Sequence, residues 1–270
     1  MVVSPPLLVG LGLGLAMYGT LIGAGGAIVL IPALILIYPQ FRPETLTSIS
    51  LAIVFINALS GTIAYSRQRR IDYKTGSLFA LATVPGTIIG VLVTSLLSTK
   101  LFSLIFGIVV IVFSVFLMLR PQKGTSDRPL PNKGIRVLVD ARGEEFTYSY
   151  NRNAGIAISF GVGFLAGLLG IGGGIVHVPV MIFLLGFPAH IATATSHFIL
   201  VFTSLTGSLT HAFSGIYSEV WPLLMWLAIG VIPGAQMGAW LSRKLQGIQI
   251  VRFLAVGLSL MGIRLVILAL

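Results

Sequence analysis

Of the 270 residues, 56% are hydrophobic and only 9% are charged, and the mean hydropathy is +1.02. A soluble domain carries about 25% charged residues, so a water-exposed surface is excluded and lipid must be the solvent. The net charge of +10 would suggest nucleic acid in a soluble protein. Here the basic residues cluster in a few loops between apolar stretches, as cytoplasmic loops of membrane proteins do, and nucleic acid is not an expected partner. There is no cysteine, which excludes disulfides, thiolate nucleophiles and Cys-ligated metals. The start, MVVSPPLL, has no basic residue before its apolar run and does not read as a cleaved signal peptide.

Charge-free stretches define eight segments in chain order: 7–38, 45–66, 75–98 and 101–119, then 154–187, 190–213, 220–242 and 250–270. Most approach the ~20 residues that cross a bilayer core. Segments 1 and 5 are longer and are interrupted by glycines. Segment 1 carries Gly23-Ala24-Gly25-Gly26 followed by Pro32, and segment 5 carries Gly170-Ile171-Gly172-Gly173-Gly174 followed by Pro179. The breaks and the prolines lie 147 residues apart. Ser50 pairs with Ser196 and Gly61 with Gly207 at 146, and Pro85-Gly86 with Pro233-Gly234 and Gly90 with Gly238 at 148. A preserved order at a near-constant offset indicates an internal duplication of four segments.

Loop charge orients the halves. If segments 1 and 5 are re-entrant hairpins, 14 basic residues fall on one side and 2 on the other, Arg264 within segment 8 aside. If every segment crosses once, the split is 11 to 5. The positive-inside rule favours the hairpins. The expected fold is therefore an all-α polytopic membrane protein of two inverted repeats, each a re-entrant or broken helical hairpin plus three transmembrane helices. The repeats are expected at 1–120 and 153–270, with both termini outside. The linker 121–152 is expected to be cytoplasmic. Within it, Ile135–Val139 and Phe146–Tyr150 alternate around a turn at Asp140-Ala141-Arg142-Gly143, which predicts a β-hairpin.

Irregular backbone at membrane depth is tolerated only where it is buried in protein or lines a cavity. Helices restarting near Gly26 and Gly174 would present free N–H groups and positive dipole ends, a setting for an anion. The candidate binding residues are Gly23, Gly25, Gly26, Gly170, Gly172, Gly173 and Gly174, with the neutral polar side chains Ser50, Asn57, His177, Thr195, Ser196, His197 and Gln236. Each of these also has a plain structural reading, since small residues pack helices and Ser or Thr bond their own helix backbone. Gly86, Gly90, Gly234 and Gly238 read as packing positions, where alanine should be mild. His211, near a segment end, reads as interfacial. No Asp or Glu lies well inside a span, which argues against a carboxylate proton relay or cation site. There is no Walker A, His-Glu-x-x-His or Gly-x-Ser-x-Gly sequence, so neither catalytic residues, metal ligands nor cofactors are expected.

The duplicated Leu21–Gly26 and Leu168–Gly174 stretches, each leading to a proline, resemble the TauE/SafE sulfite exporter family, as do the Ser-containing starts of segments 2 and 6 and the Pro-Gly pairs of segments 3 and 7. The resemblance implies export of sulfite, an organosulfonate or a similar small sulfur oxyanion across the cytoplasmic (inner) membrane. Two departures bear on the substrate: Ala27 stands where the second motif has Gly174, and Ile49 where segment 6 has Thr195. The expected partners are a small inorganic or organosulfur anion and the lipid bilayer, with a homo-oligomer left open. An anion channel and, more distantly, an intramembrane enzyme are the alternatives.

Overall fold

The computed structural model describes residues 4–119, 135–213 and 215–256. The calls on Met1, on the basic linker stretch 120–134 and on 257–270 with Arg264 lie outside them. The described elements are α1 (Pro5–Ile22), α2 (Ala27–Ile37), α3 (Pro43–Arg67), α4 (Tyr73–Thr94), α5 (Thr99–Leu119), β1 (Ile135–Val139), β2 (Glu145–Ser149), α6 (Arg152–Leu169), α7 (Gly174–Phe183), α8 (Ala189–Ala212) and α9 (Tyr217–Ser242). A further apolar helix, α10, covers Gly247–Val256. Five of these helices, α1, α3, α4, α6 and α9, are long and apolar enough to cross a membrane. The chain is a multi-pass, all-α membrane protein, with one small hairpin among the described residues.

Local sequence sets the helix ends. Prolines at the first positions start α1 and α3, where no intrahelical N–H is lost. Asp72 caps α4 by accepting from the Thr75 N–H at 3.1 Å, and Asn151 caps α6 by accepting from the Ala154 N–H at 3.2 Å. Both long segments break at their glycines. Gly23, Gly25 and Gly26 have φ of 77°, 75° and 84°, and Gly170, Gly172 and Gly173 have 68°, 68° and 95°. Side chains disfavour this left-handed region, so glycine is required there. The chain folds back at the first turn, bringing Gly26 against the Leu15 backbone, and Pro5 and Leu8 line one pocket with Tyr38 and Phe41.

Helix packing crosses between the halves. α4 lies parallel to α6, with Gly86 and Gly90 pressed on the Phe160 and Phe164 carbonyls. α9 lies parallel to α1, with Gly234 and Gly238 pressed on the Leu13 and Met17 carbonyls. Phe160 and Phe164 follow Leu13 and Met17 by 147 residues, so the two pairs are equivalent contacts exchanged between the halves. Lipid tails are as apolar as leucine, so close backbone approach and interhelical hydrogen bonds must hold such helices together. Thr87 and Thr94 supply two of these bonds, to the Gly163 and Leu168 carbonyls at 3.2 and 2.8 Å. The packing role of the four glycines holds, but not their tolerance of alanine. A Cβ on Gly86 would overlap the Phe160 carbonyl oxygen and stand 2.8 Å from the Phe164 nitrogen, both backbone atoms that cannot swing away.

The hairpin pairs Ile135 with Ser149 through to Val139 with Glu145. Its second strand begins one residue earlier than the sequence pattern suggested. It is clamped to the α3–α4 connection. Arg70 donates to Asp140 through Nε and Nη2 at 3.0 and 2.8 Å, Ala141 N–H bonds the Gln68 carbonyl, and the Tyr148 hydroxyl bonds Asp72 at 2.8 Å. Burial works against the Asp140 carboxylate, yet Arg70 and the N–H groups of Arg142 and Glu144 outweigh it and hold its pKa below the ordinary value.

Candidate functional site

The two glycine turns meet inside the protein. A Cβ on Gly174 would overlap the Gly23 carbonyl and stand 2.8 Å from the Ala24 Cα. This explains why the second motif carries glycine where the first carries Ala27. Each turn is braced from the opposite half. Ser50 on α3 donates to the Gly170 carbonyl at 2.7 Å, and Ser196 on α8 donates to the Gly23 carbonyl at 3.2 Å. The same exchange recurs in packing, with Gly170 against Thr47 and Gly23 against Thr193.

The restarting helices α2 and α7 leave donors behind. Among the described residues, the N–H groups of Gly26, Ala27 and Ile28 find no acceptor, and neither do those of Gly172, Gly173, Gly174 and Ile175. All seven residues are buried. Unpaired helix-start donors are ordinarily met by side-chain caps or water, but neither of these helices has a side-chain cap. The space beside Gly25 and Gly172 is filled by Val54 and Leu200, which are 146 residues apart and each fully buried.

Next to the first turn lies a polar cluster. Thr20 on α1 donates to Asn57 Oδ1 at 2.7 Å and meets His197 Nε2 at 3.2 Å, and its carbonyl accepts from the Tyr65 hydroxyl at 2.7 Å. Asn57 Nδ2 and His197 Nδ1 are buried without partners, as is His177 Nδ1 beside the second turn. His177 Nε2 meets Ser159 Oγ at 3.2 Å.

The structure thus gathers the seven glycines with Ser50, Asn57, His177, Ser196 and His197. It places two candidates elsewhere. Thr195 accepts from the Asp72 N–H at 3.0 Å and fixes the α3–α4 connection. Gln236 donates to the Ser60 carbonyl at 2.7 Å and lines a cavity on the face that carries the β-hairpin. His211, in the last turn of α8, is buried and meets Thr47 Oγ1 at 3.1 Å. Thr20, Tyr65, Val54 and Leu200 escaped the sequence reading. Of these, Val54 and Leu200 share the 146-residue offset and could have been found by it.

Known proteins match the chain over most of its length. The family model described as sulfite exporter TauE/SafE matches residues 7–265. A probable membrane transporter protein, YunE, of Bacillus subtilis is 40% identical over 96% of this chain and 96% of its own. Probable membrane transporter proteins of Haemophilus influenzae and Methanocaldococcus jannaschii are 29% and 24% identical, over 86% and 96% of this chain and 83% and 94% of their own. No solved structure matches the chain. With the family model spanning nearly its whole length, the chain belongs to the sulfite exporter TauE/SafE family.

Proposed function

We propose that the protein is a secondary transporter that exports a small sulfur-containing oxyanion, sulfite or an organosulfonate, across the cytoplasmic membrane, and that it is not an enzyme. The observation that carries this reading is the set of seven buried N–H groups without acceptors at the two touching glycine turns. An oxyanion satisfies several such donors at once through charge-assisted bonds. Among the described residues no buried cation lies beside the turns, so binding stays weak enough for release. The site would comprise both turns, Ser50, Asn57, Ser196 and His197, with His177 at its edge.

The inverted-repeat reading is part of the proposal. Pro5 at the start of α1 lines a pocket with Glu219, whereas Arg152 at the start of α6 lines one with Lys74 and Arg136. The two hairpins would then enter from opposite sides, with 1–120 and 153–270 as the repeats. By loop charge, the face carrying linker 121–152 is cytoplasmic. Val54 and Leu200 fill the space between the turns. This favours alternating access over an open channel, because an anion must displace them. Proteoliposome efflux of radiolabelled sulfite, sulfonates, thiosulfate and sulfate tests the proposal. Saturable flux of at least one is expected, and flux of none above protein-free vesicles refutes it.

A further inference from the structure

A cavity of about 310 Å³ opens on the hairpin-bearing face where α3 and α9 end. Arg67, Arg70, Arg142 and Arg243 line it, with Asp140 as its one carboxylate. Asp140 is spent on Arg70. Arg67, Arg142 and Arg243 have no carboxylate partner among the described residues, and Arg243 Nε is buried without any partner. Three guanidinium groups around one concavity raise the local concentration of anions and offer planar donor pairs to oxyanions.

One face of α3 runs from the cavity to the polar cluster. Gln68, Ala64, Gly61 or Ser60, and Asn57 follow one another at three- and four-residue spacing, one stripe along α3. Gln68 and Ala64 line the cavity, Gln236 joins it to Ser60, and Gly61 lies against the His197 ring. At the equivalent positions of the other half, Phe213 replaces Arg67, Ile88 replaces Gln236 and Ser95 replaces Arg243, at the offsets of 146 and 148. Phe213 and Ile88 are exposed. The duplication therefore keeps the mouth's shape elements but not its charge.

We infer that this cavity is an anion-capture site, in which Arg67, Arg142 and Arg243 hold a small oxyanion before it passes Gln236 to the Asn57–His197 cluster. The inference rests on the transport reading for the passage inward, but the capture itself is a binding event that can be read separately. Trp240 lines the cavity and serves as the reporter. With Trp221→Phe and Trp226→Phe it is the sole tryptophan. In phosphatidylcholine nanodiscs, iodide should quench Trp240 more strongly in the parent than after R67Q, R142Q and R243Q together, by about tenfold in the quenching constant. Neutral acrylamide should not distinguish them. Sulfite or sulfate at fixed ionic strength should protect the parent from iodide and not the triple variant. In vesicles, the triple variant should raise KM and leave kcat unchanged, while K100Q changes neither. Protection absent in the parent, or equal in the triple variant, overturns the inference, as does protection given only by added phosphatidylglycerol, which would make the cavity a lipid-headgroup seat. Protection in the parent without flux of any sulfur oxyanion sinks the transport reading and leaves the capture site standing.

Discussion

Ser50 on α3 donates its hydroxyl to the Gly170 carbonyl at 2.7 Å, 120 residues away and in the other half of the chain. Ser196 returns the bond to Gly23 at 3.2 Å. The two turns are thus each held by a helix of the opposite half, so neither can move without the other's support. Ser50→Ala and Ser196→Ala should each destabilise by about 1 kcal/mol, and the pair should be non-additive because the turns touch. Ser48→Ala removes only a bond to the Thr45 carbonyl in its own helix and should cost less. Unfolding of the purified variants in detergent measures all four.

The turn glycines differ from lipid-facing ones. An alanine at Gly172 would sit at φ 68° with its Cβ 2.6 Å from Val54. It should abolish transport while the protein still inserts. Gly161 on α6 has nothing within 4 Å of an added Cβ, and alanine there should gain a few tenths of a kcal/mol from helix propensity and transport normally. Gly86→Ala should fail to fold, because its Cβ meets backbone. Size-exclusion profiles followed by flux separate the three outcomes.

Asp140→Ala takes both charged hydrogen bonds from buried Arg70 and leaves the exposed Glu144 carboxylate at 3.9 Å as its remaining charged partner, and breaking a buried pair costs about 3–5 kcal/mol. The loss should appear as rapid proteolysis of the hairpin, whereas Glu145→Ala, an exposed change, should be silent. The pH dependence follows from the depressed Asp140 pKa. A carboxylate bound more tightly in the folded state contributes stability above its unfolded pKa of about 3.9. That contribution persists at neutral pH and is lost as pH falls through the lower folded value. Hairpin protection should therefore hold at pH 5 and vanish only in stronger acid, and the variant should lack this acid transition.

The absence of native cysteine makes sidedness measurable. Arg142→Cys should react with an impermeant maleimide only from the cytoplasm, and Lys100→Cys only from outside. Labelling of both from one side contradicts the inverted arrangement.

Much of this fold was legible because each signal was local or strictly repeated. The glycine breaks and the β-hairpin needed only neighbouring residues. The repeat offset paired Ser50 with Ser196 before any contact was known. What stayed hidden was cross-half pairing. Thr20 looks like an ordinary helix residue until Asn57, Tyr65 and His197 arrive from other helices. Thr195 sits beside Ser196 in sequence, yet a helix turns successive side chains about 100° apart, and it faces Asp72 instead. Gly86 read as tolerant because spacing shows a packing face but not that the neighbour is a carbonyl.

The central claim is that the protein carries an anion outward on the membrane potential. Sulfite efflux from vesicles clamped by valinomycin and potassium gradients tests it most directly. One net negative charge gains about 2.3 kcal/mol per 100 mV, roughly a 50-fold outward ratio at equilibrium. The account predicts efflux that saturates with internal sulfite, accelerates as the interior becomes more negative, and disappears with Gly172→Ala. Efflux that is absent, or that rises linearly with sulfite and ignores the clamped potential, would contradict it.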